Sequence, residues 1–116
     1  MPNAFSTHIT NPATQYPQAW ERAGNVKLLV LDVDGVLTNG QVFIGADGKE
    51  SLKAFDIQDG LGIKLLEQCG IPTAIITGRN SKMVLARCEE LGIKHVHMGV
   101  ENKAIALDEV LKTLGL

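Results

Sequence analysis

The chain has 116 residues, 45% of them apolar and 21% charged, with a formal net charge of −2. That composition describes one domain, large enough for a real core but small for an α/β enzyme. There is no basic field for nucleic acid, no apolar run long enough for a membrane span and no secretory pattern at the N-terminus, so a cytoplasmic protein is expected.

Residues 1–24 read as an N-terminal extension holding Pro2, Pro12 and Pro17. Pro17 in a first helical turn, followed by Gln18-Ala19-Trp20-Glu21-Arg22-Ala23 and Gly24, predicts one short helix that Trp20 packs onto the body. Residues 27–31 run apolar without alternation, the pattern of a strand covered on both faces. The strand leads into Asp32-Val33-Asp34-Gly35-Val36-Leu37-Thr38, placing two carboxylates at the carboxyl end, where open α/β sheets bind ligands. Asn39-Gly40 marks a turn, and residues 41–44 and 51–55 flank Gly45-Ala46-Asp47-Gly48. This predicts a hairpin over about 40–55, read as a flap beside the carboxylates whose apolar content suits contact with another subunit.

A helix is predicted over 59–69 with Gly70 as its stop, then a buried strand over 72–77 ending in Thr77-Gly78-Arg79. Asn80 or Ser81 caps the next helix, which carries Val84, Leu85, Cys88 and Leu91 on its apolar face and ends at Gly92. A strand over 93–98 and a helix from the Asn102 cap through Leu114 complete the chain. Residues 25–116 therefore predict an α/β fold, a doubly wound (Rossmann-like) parallel sheet with a β-hairpin flap after the first strand and no separate cap domain.

Two carboxylates this close repel unless a cation lies between them. Mg2+ suits Asp32 and Asp34, because it takes oxygen ligands and keeps waters for an incoming phosphate. A bare Asp-x-Asp is an ordinary acidic turn, but the apolar strand and the full string together are not. On a phosphate ester, Asp32 is placed to attack phosphorus and Asp34 to protonate the leaving alkoxide and then activate water. Thr77 should reach the same sheet edge, where a hydroxyl and neighbouring amides bond a phosphoryl group. Lys103, in the first turn of a helix, opposes the helix dipole, a placement that makes sense if it faces anions. Cys69 and Cys88 read as free thiols, and His8, His95 and His97 have no ligand spacing.

The string from Asp32 to Thr38 resembles the first signature of the haloacid dehalogenase superfamily of phosphotransferases. Ile76-Thr77-Gly78-Arg79 resembles its second signature, and Lys103 matches its phosphate-binding lysine. Within the superfamily the chain most resembles the octulosonate-phosphate phosphatases. The resemblance implies Mg2+-dependent hydrolysis of an acidic keto-sugar phosphate for lipopolysaccharide precursor synthesis, through an aspartyl-phosphate. Asp32 would be the nucleophile, Asp34 the acid and base with its backbone carbonyl on the metal, and Thr77 and Lys103 the remaining catalytic residues. Substrate contacts would come from Asp34, Asp56, Ile57, Gln58, Asp59, Gly60, Lys64, Gly78, Arg79, Arg87 and Lys103.

Gln58 stands where relatives often carry arginine, and Asp56 where asparagine is frequent, which touches the substrate rather than the reaction. A homotetramer is implied, in which neighbouring subunits close each site. The family's acidic turn after a further strand would follow Leu116, so a C-terminally truncated chain is expected, with an unpaired first strand, weak metal binding and poor turnover. The alternative is a non-catalytic phosphatase-like oligomerisation or regulatory module. A response-regulator receiver fits poorly, because it needs a phospho-acceptor Asp where the second strand ends in Thr77.

Overall fold

The computed structural model describes residues 11–116, so Pro2 and His8 lie outside the described residues. The elements run α1 (Pro12–Gln15), α2 (Pro17–Ala23), β1 (Leu29–Leu31), β2 (Phe43–Ile44), β3 (Glu50–Leu52), α3 (Ile57–Gln68), β4 (Thr73–Ile76), α4 (Lys82–Leu91), β5 (His95–His97) and α5 (Lys103–Leu114). The main sheet has the order β1-β4-β5 and is parallel throughout, with Leu31 opposite Ile75 and Ile75 opposite Val96.

Alternation along β4 assigns the two faces. Ile75 joins Val33, Val84 and Cys88 in the core beneath α4, with Leu31, Phe55 and Val96 packed around them. Ile76 points the other way, sharing a groove with Val30, Ala104 and Leu107 of α5. Helices therefore cover both faces of the sheet, α3 and α4 on one and α5 on the other. Burial holds the Cys88 thiol above the ordinary cysteine range, as suits an inert core side chain.

Local chemistry explains where the helices start and stop. Asp56 accepts from the Gln58 amide at 2.7 Å, Ser81 from Val84 at 3.3 Å, and Asn102 from Ala104 at 3.1 Å, each satisfying a donor that the helix leaves free. Gly92 and Gly115 end α4 and α5 with φ of +72° and +69°. Of the two predicted caps for α4, Ser81 does the work. The Asp56 cap starts α3 two residues before the predicted boundary, so residues 57–60 form its first turn.

Three expectations change. An extra single turn, α1, forms behind the Asn11 cap, which accepts from Ala13 at 3.0 Å. Trp20 is 56% exposed and α2 buries no residue, so Trp20 does not pack the helix onto the body. The cover over β1 is incomplete, Val30 being 39% exposed, while its expected unpaired edge is present: among the described residues β1 pairs with β4 alone. An apolar groove of about 600 Å3 lies between this free edge and α3, lined in part by Leu29, Leu31, Ile63 and Leu66. The antiparallel hairpin β2-β3 stands apart from the main sheet, with Phe43, Ile44 and Leu52 exposed.

Candidate active site

β1 ends directly in Asp32, and the chain then folds tightly back on Val33. The Val33 carbonyl accepts from the amides of Val36, Leu37 and Thr38 at 3.1, 2.9 and 3.1 Å. Gly35 takes φ +79°, a conformation that side chains other than glycine's resist. Val33 itself is 1% exposed, so one buried apolar residue anchors the loop between its two acidic neighbours. Thr38 closes the loop by accepting from Gly35 and Gly40 at 3.2 and 3.3 Å.

Asp32 is held at both oxygens. Oδ1 accepts from the Val33 amide at 2.7 Å, and Oδ2 accepts from Lys103 Nζ at 2.9 Å, across 71 residues of sequence. Burial opposes ionisation of Asp32, but the Lys103 ammonium, the Val33 amide and the Thr77 hydroxyl outweigh it and hold the carboxyl below the ordinary range. Thr77 is 2% exposed and fixed by its backbone, its amide donating to the His97 carbonyl at 2.9 Å and its carbonyl accepting from Val100 at 3.1 Å. Parallel pairing of β1, β4 and β5 thus brings Asp32, Thr77 and Lys103 to one sheet edge.

Asp34 belongs to a second charge cluster beside the first. Its Oδ1 accepts from Lys53 Nζ at 2.6 Å, and its Oδ2 lies 3.8 Å from Arg79 Nε. Lys53 also lies 2.5 Å from Glu50 Oε1, off the axis of a hydrogen bond, so that contact is a charge pair. Arg79 Nη1 reaches Glu50 Oε2 at 3.5 Å. Burial would lower Lys53, but Asp34 and Glu50 outweigh it and hold the ammonium above the ordinary lysine range. Sequence reasoning passed over Glu50 and Lys53. Their only local signal is opposite charge three residues apart, and their partners lie across the fold.

The predicted substrate residues divide. Ile57, Gln58, Asp59, Lys64, Gly78 and Arg79 are exposed, whereas the Asp56 side chain is spent on its cap and Gly60 is buried. Arg87 makes no hydrogen bond or ion pair with Asp32 or Asp34. Its side chain is 18% exposed and its guanidinium donates to the Asp56 carbonyl at 3.3 Å, pairs with Glu90 at 3.2 Å and sits 5.8 Å from the Phe55 ring.

Among the described residues, no cluster of three or more His, Cys, Asp or Glu side chains converges as a metal site. The donors present still suit Mg2+, which commonly takes one or two carboxylates and fills its octahedron with water and substrate oxygens. The Asp32 carboxylate, which has lone pairs beyond its two hydrogen bonds, and the Asp34 backbone carbonyl would hold it. No helix among the described residues is long and apolar enough to cross a membrane.

No protein-family model matches the chain. The 3-deoxy-D-manno-octulosonate 8-phosphate phosphatase KdsC of Salmonella typhimurium is 46% identical over 100 residues, 86% of this chain and 53% of that protein. A solved structure of the corresponding phosphatase from Moraxella catarrhalis, in complex with magnesium ion, phosphate ion and a KDO molecule, matches with a TM-score of 0.81 and 46% identity. That match covers 87% of this chain and 57% of the other. The cobalt-bound form of the Haemophilus influenzae phosphatase matches with a TM-score of 0.76 and 41% identity, over 79% and 53% of the two chains. The chain spans about half the length of the curated relatives it matches.

Proposed function

Taking as premise that this chain is a relative of the haloacid dehalogenase-type 3-deoxy-D-manno-octulosonate 8-phosphate phosphatases, aligned over about half their length, we propose that it hydrolyses a phosphomonoester of an acidic keto-sugar. One observation carries the reading: the 2.9 Å pair of Lys103 with Asp32, beside Thr77, at the carboxyl edge of a parallel sheet. A carboxylate kept ionised, open enough to be reached and fixed at both oxygens is a prepared nucleophile. Asp32 attacks phosphorus, the ester P–O bond breaks, and Asp34, which enters this step in its protonated form, gives that proton to the departing alkoxide. Asp34 then takes a proton from the water that attacks the aspartyl-phosphate, releasing inorganic phosphate and restoring Asp32.

Lys103 and Thr77 hold the transferred phosphoryl group. Mg2+, bound through Asp32 and the Asp34 carbonyl, would neutralise the charge of carboxylate and phosphate as they approach. Arg79, 57% exposed beside Asp34, suits the substrate carboxylate. The exposed Ile57, Gln58, Asp59, Lys64 and Gly78 are assigned to the approach, and Arg87 serves by holding the 56–60 turn. The exposed apolar side chains of β2-β3 fit a homotetramer in which a neighbour closes the site, the hairpin acting as the flap.

The test is phosphate release from 3-deoxy-D-manno-octulosonate 8-phosphate with Mg2+ or with EDTA, alongside Asp32→Asn and a light-scattering mass. Metal-dependent turnover that falls on the order of 10³-fold or more in Asp32→Asn is expected. Turnover surviving in Asp32→Asn would sink the nucleophile assignment. Self-association with no turnover at all would point to a non-catalytic oligomerisation module.

A further inference from the structure

Lys53 follows β3 and sends its side chain across to the end of β1. That side chain is only 2% exposed, although it carries a charge. The apolar side chains of the same hairpin show the reverse, with Phe43 42%, Ile44 62% and Leu52 49% exposed. Taking an ammonium out of water is costly, and a buried ion pair gives little net stability over well-packed apolar groups. A long apolar residue at 53 would serve packing better, so the burial of this cation asks for another reason.

Its contacts supply one. The ammonium meets Asp34 Oδ1 at 2.6 Å and Glu50 Oε1 at 2.5 Å, joining the end of β1 to the hairpin's return strand. We infer that Lys53 is a positioning residue: it fixes the Asp34 carboxylate in one rotamer, leaving Oδ2 to meet the leaving oxygen, and ties that carboxylate to the hairpin through Glu50. The inference rests on the reading of Asp34 as acid and base. Asp34 hangs on a loop and its side chain is 27% exposed, so without the buried donor nothing holds Oδ1. Arg79 cannot replace it, being mostly exposed and 3.8 Å from the other oxygen. Asp32, with its own partners Val33 and Lys103, is untouched by this arrangement.

The test compares Lys53→Met, Lys53→Arg and Asp34→Asn in the full chain with Mg2+, on an alkyl phosphate and on p-nitrophenyl phosphate, whose leaving group needs little protonation. Lys53→Met is expected to lose kcat/KM about 10- to 100-fold more on the alkyl ester, part of the ~10²–10⁴ that a placed proton donor supplies, and Lys53→Arg to recover part of it. An equal fall on both esters, or none, overturns the proposal. Asp34→Asn gives the reference: if it too fails to separate the esters, the role of Asp34 fails instead.

A second readout decides the placement independently of turnover. In Lys53→Met the Asp34 carboxyl carbon resonance should shift, and amide exchange across residues 43–52 should quicken relative to β4. Both unchanged would overturn the inference; both changed would support it.

Discussion

At the scale of single residues, the site is a problem of placing charge. Asp32, Asp34 and Glu50 bring three negative charges together, and Lys53, Arg79 and Lys103 bring three positive ones. Because Lys103 and the Val33 amide hold Asp32 below its ordinary value of 3.8, the stability this carboxylate contributes is present above that value and is lost as pH falls through the folded value. A carboxyl carbon titration should place the Asp32 midpoint below 3.8, and Lys103→Met should raise it, since burial then faces less opposition. A midpoint that does not move would show that Lys103 does not govern Asp32. The meeting of Asp32, Thr77 and Lys103 at one sheet edge was legible in the sequence because each ends a strand or begins a helix with a distinct local signature. Lys53 was not legible, since a lysine in a short hairpin strand ordinarily faces water.

At the scale of elements, the junction between α3 and α4 shows Arg87, expected at the substrate, also bracing two helices. Arg87 reaches out of α4, over Phe55, to the carbonyl of the residue that caps α3. Gly60 makes room for it: a Cβ there would lie 2.5 Å from Arg87 Nη2 and 3.0 Å from Leu91 Cδ2. Gly60→Ala is therefore expected to push the Arg87 guanidinium off the Asp56 carbonyl and, with alanine's helix preference of about 0.5–1 kcal/mol set against that loss, to be less stabilising in urea denaturation in the parent chain than in an Arg87→Ala background. Equal changes in both backgrounds would place the strain elsewhere. The helical pattern foretold α3 and α4 but not this contact, because periodicity names a face and not the residue opposite it. The later start predicted for α3 has a similar cause: the apolar repeat begins after the Asp56 cap that starts the helix.

At the scale of the whole molecule, stability is concentrated in the middle strand. Every residue of β4 is buried, with Ile75 at 0% exposure among Val33, Val84 and Cys88, while β1 and β5 are only half-buried. Ile75→Ala is expected to cost about 2–5 kcal/mol, read as a fall in melting temperature, because it opens a cavity where β4 meets α4. A loss well under 1 kcal/mol would mean the core can collapse around the change. What the sequence determined by itself was the order of the elements, the parallel α/β plan and the carboxylate pair at a strand end. Apolar period, caps and glycine stops act within a few residues, so they can be read from a single stretch of chain. Only the tertiary structure decided that Lys53 turns inward to Asp34, that Arg87 braces a helix and that Trp20 stays exposed. They depend on how distant elements pack, which sets side chains 19 and 31 residues apart within hydrogen-bonding reach or leaves one without a surface to cover it, a separation over which no local pattern carries information.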